Sequence, residues 1–162
     1  MSSPDRLTHL NDQGEAHIVD IGEKVPTRRR AVAEALVEAK PATIAAIVGG
    51  DLKKGDALAV ARIAGIMAAK KTSELIPLCH PIALTNVEVR IEQVAGVAAL
   101  KVTAIAETLD RTGVEMEAMT AASVAGLTLY DMAKAIDRGM RVTGLRLVEK
   151  SGGKSGTFKA ED

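Results

Sequence analysis

Aromatic side chains are almost absent from this chain: Tyr130 and Phe158 are the only two among 162 residues. Proteins that bind nucleic acid by stacking bases on aromatic rings are therefore a poor match. Lys and Arg together number 21, as do Asp and Glu, so the formal net charge is zero. This balance removes the electrostatic argument for binding nucleic acid or an anionic membrane.

Cysteine and long apolar runs are also scarce. Cys79 is the single cysteine, which excludes an intrachain disulfide and a cysteine-based metal cluster. No uncharged apolar stretch is long enough to span a bilayer, and the polar N-terminus does not resemble a secretory signal. We therefore expect a cytoplasmic protein with one catalytic domain over residues 1–162. Residues 1–16 are expected to form a polar arm, and 151–162 a Gly/Lys-rich loop and tail.

The spacing of apolar residues predicts the order of the elements. A short strand is predicted at 17–21, and a helix at 27–39 with Thr27 as its N-cap. A helix opened by Pro41 is predicted to end at Gly49 and Gly50, and a more apolar one is predicted at 57–69.

The pattern of apolar and polar residues is clearer in the second half of the chain. Pro77 and Pro81 keep residues 71–83 out of a regular helix. Apolar and charged residues alternate at 87–92, Gly96 marks a turn, and the hairpin is completed by a strand at 97–108. A long helix at 112–136 and a strand at 142–148 follow. This order predicts an α+β, ferredoxin-like split βαβ fold, an antiparallel sheet with helices on one face. We expect the other face to pack against a second subunit.

The long helix carries no charge from 118 to 130, so we expect it to be buried on most sides. Glu115 and Glu117 lie at its start, and Asp131 and Lys134 lie near its end. Thr112 and Glu115 fit a capping box, so Glu115 could serve only as a cap. Ionisable groups on a buried helix are costly unless they are paired or used, so both ends are candidate sites.

The distance between these two ends indicates a site shared between subunits. Glu117 and Asp131 are 14 residues apart, or about 21 Å along a helix. One small substrate cannot easily touch both in a single subunit. Either the two acids have different tasks, or opposite ends of two helices meet at a subunit interface, which we favour.

Three loops offer further candidates. His80, beside Pro81, could carry protons, whereas Cys79 is more simply a buried structural thiol than a nucleophile. The glycines and lysines of 150–156 are typical of a phosphate loop or a flexible tail. The arginines at 28–30 are a basic cluster or an exposed face. Together these residues favour a polyphosphate-bearing small molecule and general acid–base chemistry. The alternative is a non-catalytic, oligomeric nucleotide- or phosphate-binding module.

Four segments resemble a known family. They are KGDALAVARIAGI (54–66), LIPLCHP (75–81), TGVEMEAMTAASVAGLTLYDMAKA (112–135) and KSGGKSG (150–156), and they resemble the MoaC family, the cyclic pyranopterin monophosphate synthases of molybdenum cofactor biosynthesis. The resemblance implies a lyase that converts (8S)-3′,8-cyclo-7,8-dihydroguanosine 5′-triphosphate to cyclic pyranopterin monophosphate and diphosphate. It also implies a homohexamer, a trimer of dimers, with active sites at the dimer interface.

The resemblance also implies roles for individual residues. Asp131 is expected as the active-site acid/base, with Lys134 and Lys54 as catalytic lysines. No dedicated metal site or cofactor is implied, although Mg²⁺ could accompany the triphosphate. Lys154 is a weaker phosphate-binding candidate, and either neighbour of the arginine at 29 could be the true counterpart. The residues expected to bind substrate are Leu78, Cys79, His80, Glu115, Met116, Glu117, Arg29 and Lys150.

Overall fold

The computed structural model describes residues 8–162, so residues 1–7 of the predicted arm lie outside the described residues. One antiparallel sheet is covered on one face by helices, as predicted. The elements, in chain order, are β1 (Thr27–Glu38), α1 (Pro41–Gly49), α2 (Ala57–Lys70), α3 (Thr72–Leu75), β2 (Leu84–Gln93), β3 (Ala99–Asp110), α4 (Glu115–Ala133), β4 (Arg141–Ser151) and β5 (Phe158–Lys159).

The sheet has the strand order β2-β3-β1-β4-β5, and every neighbouring pair is antiparallel. The α+β, ferredoxin-like prediction is therefore confirmed, with β1 and β3 as inner strands of the βαββαβ unit. Helix α4 packs across β1, β3 and β4, and α2 packs beside it on β2. This packing leaves both ends of α4 at the edges of the domain.

The first strand is not where the sequence predicts it. Residues 27–39 were predicted to be a helix with an N-cap at Thr27, and this is wrong, because they form β1. Residues 17–21, predicted to be a strand, have no strand structure. In β1 the alternate residues Ala31, Ala33, Ala35 and Val37 are fully buried beneath the helices. This period of two is the one that a sheet requires.

Two glycines allow helix α2 to approach α4 closely, and α4 to approach the sheet closely. A Cβ at Gly65 of α2 would lie 3.0 Å from the carbonyl oxygen of Ala121 in α4. A Cβ at Gly126 of α4 would lie 2.9 Å from Cγ1 of Val142 in β4. Because such contacts leave no room for larger residues, the scarcity of aromatic residues suits this packing.

Two smaller differences concern the ends of elements. The capping box is wrong: Val114 is the N-cap residue of α4 and no side chain caps it, while the Glu115 carboxylate pairs with Lys150. The tail at 151–162 is not all loop, since β5 pairs with Glu149 and Lys150 at the edge of β4. The predicted boundaries of α1 and α2 agree with the structure to within one residue.

The face of the sheet opposite the helices carries ion pairs. Arg30 Nη1 lies 3.1 Å from Glu149 Oε1, and Arg146 Nε lies 2.8 Å from Glu34 Oε1. The packing of this face against a second subunit stays a prediction. Within residues 8–162, no helix is both long and apolar enough to cross a membrane. The cytoplasmic location also stays a prediction.

Candidate active site

Three charged side chains meet at the C-terminal end of α4, and we call Lys54, Asp131 and Lys134 the Asp131 cluster. Lys134 Nζ lies 2.7 Å from Oδ1 of Asp131, and Lys54 Nζ lies 2.9 Å from Oδ2. Lys54 Nζ also donates to the backbone carbonyl oxygen of Asp131 at 3.0 Å. One carboxylate therefore holds two ammonium groups, one on each oxygen.

The local structure explains how these residues meet. Asp131 lies in the last turn of α4, and Lys134 is the residue that ends the helix, so the two side chains share a face. Lys54 belongs to the loop before α2, where Gly55 has a φ of 101° that favours glycine. Asp56 then caps α2 by accepting a hydrogen bond from the Ala59 amide. The turn and the cap together aim Lys54 at the end of α4.

The two lysines control the charge of Asp131. Hydrogen bonds from Lys134 and then Lys54, with their positive charges, lower the pKa of Asp131 to about 2. The carboxylate in turn raises the pKa of Lys134. At neutral pH the aspartate is thus ionised and Lys134 is protonated. The Asp131 side chain is 53% exposed, so this cluster is open to a substrate or to another subunit.

A cavity of about 440 Å³ lies at the other end of α4, and we call it the His80 pocket. One wall is the loop after α3, and the opposite wall comes from the start of α4. Part of the segment before β1 closes the pocket. Its lining residues are Thr8, His9, Val19, Ile21, Lys24, Ile76, Leu78, Cys79, His80, Thr112, Gly113, Glu115 and Met116.

His80 connects this pocket to the N-terminal segment. Its Nε2 atom lies 2.6 Å from the backbone carbonyl oxygen of Val19. A carbonyl only accepts hydrogen bonds, so Nε2 carries the hydrogen in this contact. The Nδ1 atom of the ring is the remaining nitrogen for exchanging protons with a ligand. The contact also places the segment that contains Val19, Ile21 and Lys24 across the pocket mouth, and no strand forms at 17–21, where the sequence predicts one.

Beneath the pocket, Glu117 is buried and poorly paired. It is 2% exposed, and its Oε2 atom has no hydrogen-bond partner within residues 8–162. Burial is the main cause that raises its pKa. The thiol of Cys79 contacts Oε1 at 3.6 Å. Burial and then the charge of Glu117 raise the pKa of Cys79 to about 11, so this thiol is not an activated nucleophile.

Arg29 and Lys150 lie next to the pocket, on the same side of the sheet as α4. Lys150 of β4 forms an ion pair with Glu115, and both side chains are about three-quarters buried. Arg29 and these two residues line a narrow crevice of about 10 Å³, also bordered by Gly113 and Gly152. Arg30 points to the opposite face and pairs with Glu149. Arg30 also borders the crevice, but of these two arginines only Arg29 has its side chain held by the carbonyl oxygens of Asp110 and Arg111, close to the start of α4.

The predicted site residues thus form two groups in the subunit. Glu115 belongs to both the His80 pocket and the crevice, so the predicted substrate-binding residues form one continuous surface with Glu117 behind it. The predicted catalytic residues form the Asp131 cluster. Helix α4 runs without interruption between the groups, so Glu117 and Asp131 are separated by about 21 Å, as predicted.

Sequence reasoning missed the residues that the N-terminal segment brings to the pocket. Val19, Ile21 and Lys24 line it, as does His9, which shows no ligand spacing in the sequence. No local pattern indicates that this segment folds back over the loop at 76–80. Within residues 8–162, no three His, Cys, Asp or Glu side chains are grouped as a metal site requires.

Comparison with known proteins shows the family of this chain. The model of the MoaC family matches residues 18–153. The chain belongs to the MoaC family. Proteins named cyclic pyranopterin monophosphate synthase from Brucella ovis, Brucella melitensis and Brucella abortus are each 55% identical to it over 157 residues. The alignment covers 97% of this chain and 95% of each relative. The family match therefore contains the Asp131 cluster and most of the His80 pocket.

Proposed function

We propose that this protein is a cyclic pyranopterin monophosphate synthase of molybdenum cofactor biosynthesis. Its substrate would be (8S)-3′,8-cyclo-7,8-dihydroguanosine 5′-triphosphate, and its products cyclic pyranopterin monophosphate and diphosphate. The observation that carries this proposal is the Asp131 cluster, one ionised carboxylate that holds two lysine ammonium groups in an exposed position. The names of relatives that are 55% identical over nearly the whole chain support it.

The phosphoryl step needs a site that stabilises negative charge. A substrate hydroxyl attacks the phosphorus nearest the ribose and gives up its proton as the new O–P bond forms. The bond from that phosphorus to the bridging oxygen breaks, and diphosphate leaves. Arg29 and Lys150 are the cations beside the His80 pocket that suit this leaving group. Lys150 must exchange its contact with Glu115 for a contact with phosphate.

The ring rearrangement needs groups that donate and accept protons. Lys54 and Lys134 are held in fixed positions by Asp131, and ammonium groups in such positions can donate a proton and take it back. Asp131 would organise the lysines, because its pKa of about 2 makes it a weak base at neutral pH. Nδ1 of His80 would supply a further proton-transfer group at the other part of the site.

The two groups of residues would form one site only between subunits. The separation of about 21 Å along α4 is too long for a small substrate to touch both in one chain. Two subunits related by a twofold axis would bring the Asp131 cluster of one to the His80 pocket of the other. Helices α2 and α4 both carry exposed apolar side chains, including Ile63 of α2 and Leu127 of α4, each 59% exposed. These side chains suit a subunit contact, and we propose a homohexamer, a trimer of dimers.

The direct test is to incubate the purified protein with the enzymatically prepared cyclised triphosphate and follow both products by mass spectrometry. We expect equal amounts of diphosphate and cyclic pyranopterin monophosphate, and neither product with Asp131→Asn. Circular dichroism should show that this variant is folded. Tight binding of the triphosphate by the wild-type protein without either product would contradict the proposal and indicate a non-catalytic binding module. Repeating the assay with EDTA shows whether Mg²⁺ is required.

A further inference from the structure

The side chain of Arg29 is held by the backbone on one side. Its Nε atom donates to the carbonyl oxygen of Asp110 at 3.1 Å, and its Nη2 atom donates to that of Arg111 at 3.2 Å. A guanidinium has five N–H groups, so within the part of the chain that the structure describes three N–H groups remain without a partner, including both on Nη1. Nη1 is therefore the part of Arg29 that is free to bind an anion.

Gly153 lies directly against this free end. A Cβ built on Gly153 would be 2.4 Å from Nη1 and 2.8 Å from Cζ of Arg29. Atoms cannot approach so closely, so any side chain at position 153 would displace the guanidinium. Because the obstructing atoms are the far end of a flexible side chain, the displacement would cost the fold little. It would change where Arg29 points.

Gly152 allows the loop after β4 to approach strand β1 closely. A Cβ on Gly152 would lie 2.1 Å from the carbonyl oxygen of Arg28, which is backbone and cannot move away easily. The absence of a side chain at 152 thus lets the loop after β4 lie on β1, and Gly153 comes to rest over Arg29. The two glycines have different tasks: Gly152 permits the close approach, and Gly153 leaves space for the arginine.

We propose that Gly153 is a positioning residue, which keeps the guanidinium of Arg29 oriented so that Nη1 binds the triphosphate of the substrate. In this account Gly152 and Gly153 act through Arg29, and not by presenting their own amides to phosphate. The inference rests on the proposed function for its ligand, but its geometric part does not depend on turnover.

Gly156 offers a matched control in the same loop. Gly153 and Gly156 have φ values of +78° and +69°, so alanine meets similar backbone strain at both positions. Among residues 8–162, a Cβ on Gly156 has no atom within 4 Å, whereas one on Gly153 meets Arg29. The difference between Gly153→Ala and Gly156→Ala therefore isolates the contact with Arg29 from the general effect of stiffening the loop.

The first measurement follows Arg29 itself by NMR, in the full-length protein without substrate. The ¹H–¹⁵N signal of Arg29 Nε should exchange slowly with water, because Nε donates to the Asp110 carbonyl. We expect its exchange to be faster in Gly153→Ala and unchanged in Gly156→Ala. An unchanged signal in Gly153→Ala would overturn the positioning role, whatever the enzyme's activity.

The second measurement asks whether the orientation matters for phosphate. Gly153→Ala should weaken the binding of inorganic tripolyphosphate about tenfold and lower kcat/KM by a similar factor, since one charged contact to phosphate is lost. Gly156→Ala should not show this pattern. In an Arg29→Ala background, Gly153→Ala should not weaken tripolyphosphate binding further. A displaced Arg29 with unchanged tripolyphosphate affinity would overturn the proposed link to phosphate. Absence of turnover in the wild-type protein would count against the proposed function alone.

Discussion

The Nζ atom of Lys54 lies 2.9 Å from Oδ2 of Asp131, although 77 positions separate these residues in the chain. Lys134, the residue that ends α4, pairs with the other carboxylate oxygen of Asp131, Oδ1. The cluster thus joins the loop before α2 to the C-terminus of α4. We propose that the lysines donate protons and that the aspartate organises them, whereas the sequence predicts Asp131 itself as the acid/base.

Removing one lysine should abolish most of the activity without unfolding the protein. We expect Lys54→Ala to lower kcat by about 10²- to 10⁴-fold, the range of a general acid–base contribution. The side chain is about half exposed, so its loss leaves the core intact. Lys53→Ala is the matched control, because Lys53 is an exposed lysine one residue away, on a neighbouring position of the same loop. Equal activity of Lys54→Ala and the wild type would contradict the assignment.

The titration of Asp131 should report the two ion pairs. The hydrogen bonds from Lys134 and Lys54 lower its pKa from 3.8 to about 2. Its folded-state pKa lies below the unfolded value, so the stability from these pairs is present above about pH 4 and is lost as the pH falls towards 2. The ¹³Cγ signal of Asp131 should titrate near pH 2 in the wild type. We expect a higher midpoint in Lys134→Ala, and a wild-type midpoint near 3.8 would show that the pairs do not form in solution.

Cys79 should behave as an inert thiol. Its pKa of about 11 keeps it protonated at neutral pH, since burial and the charge of Glu117 both oppose ionisation. At pH 8, iodoacetamide should modify it about 100-fold more slowly than free cysteine, because the thiolate fraction falls tenfold for each unit of pKa. Glu117→Gln should speed this reaction more than Glu115→Gln, whose charge is the smaller cause. Modification of the wild type as fast as free cysteine would contradict the buried arrangement.

The sequence predicts the fold class correctly, but it predicts a helix where the structure has strand β1. Residues 31–38 alternate in burial as a strand, yet alanine, glutamate and leucine are good helix formers. Alanine fits either period, so the pattern alone does not decide. The flanking strands β3 and β4 decide that this segment is a strand, because they pair with β1 on both sides. The helices then cover Ala33 and Ala35. Tertiary context therefore overrides the local preference.

The Asp131–Lys134 pair of the candidate site is predictable because it depends on spacing within one helix. Three residues separate Asp131 from Lys134, which places them on one face. The contacts of Glu115 and His80 are not predictable in this way. Glu115 fits a local cap, but Lys150 competes for its carboxylate from 35 residues away. His80 contacts Val19 across 61 residues, so its partner is set by the path of the N-terminal segment.

The central claim is that each active site combines the Asp131 cluster of one subunit with the His80 pocket of another. Subunit complementation tests it directly. Lys54→Ala and Arg29→Ala proteins, each inactive or weakly active alone, would be unfolded, mixed in equal amounts and refolded together.

If sites are shared, random mixing gives one fully native site in four, so the mixture should recover about a quarter of wild-type activity in the mass-spectrometric assay. Refolding each variant alone is the control and should recover no more than the residual activity of that variant. If the mixture is no more active than the two variants refolded separately, although the subunits have exchanged, each site lies within one chain and the account is wrong.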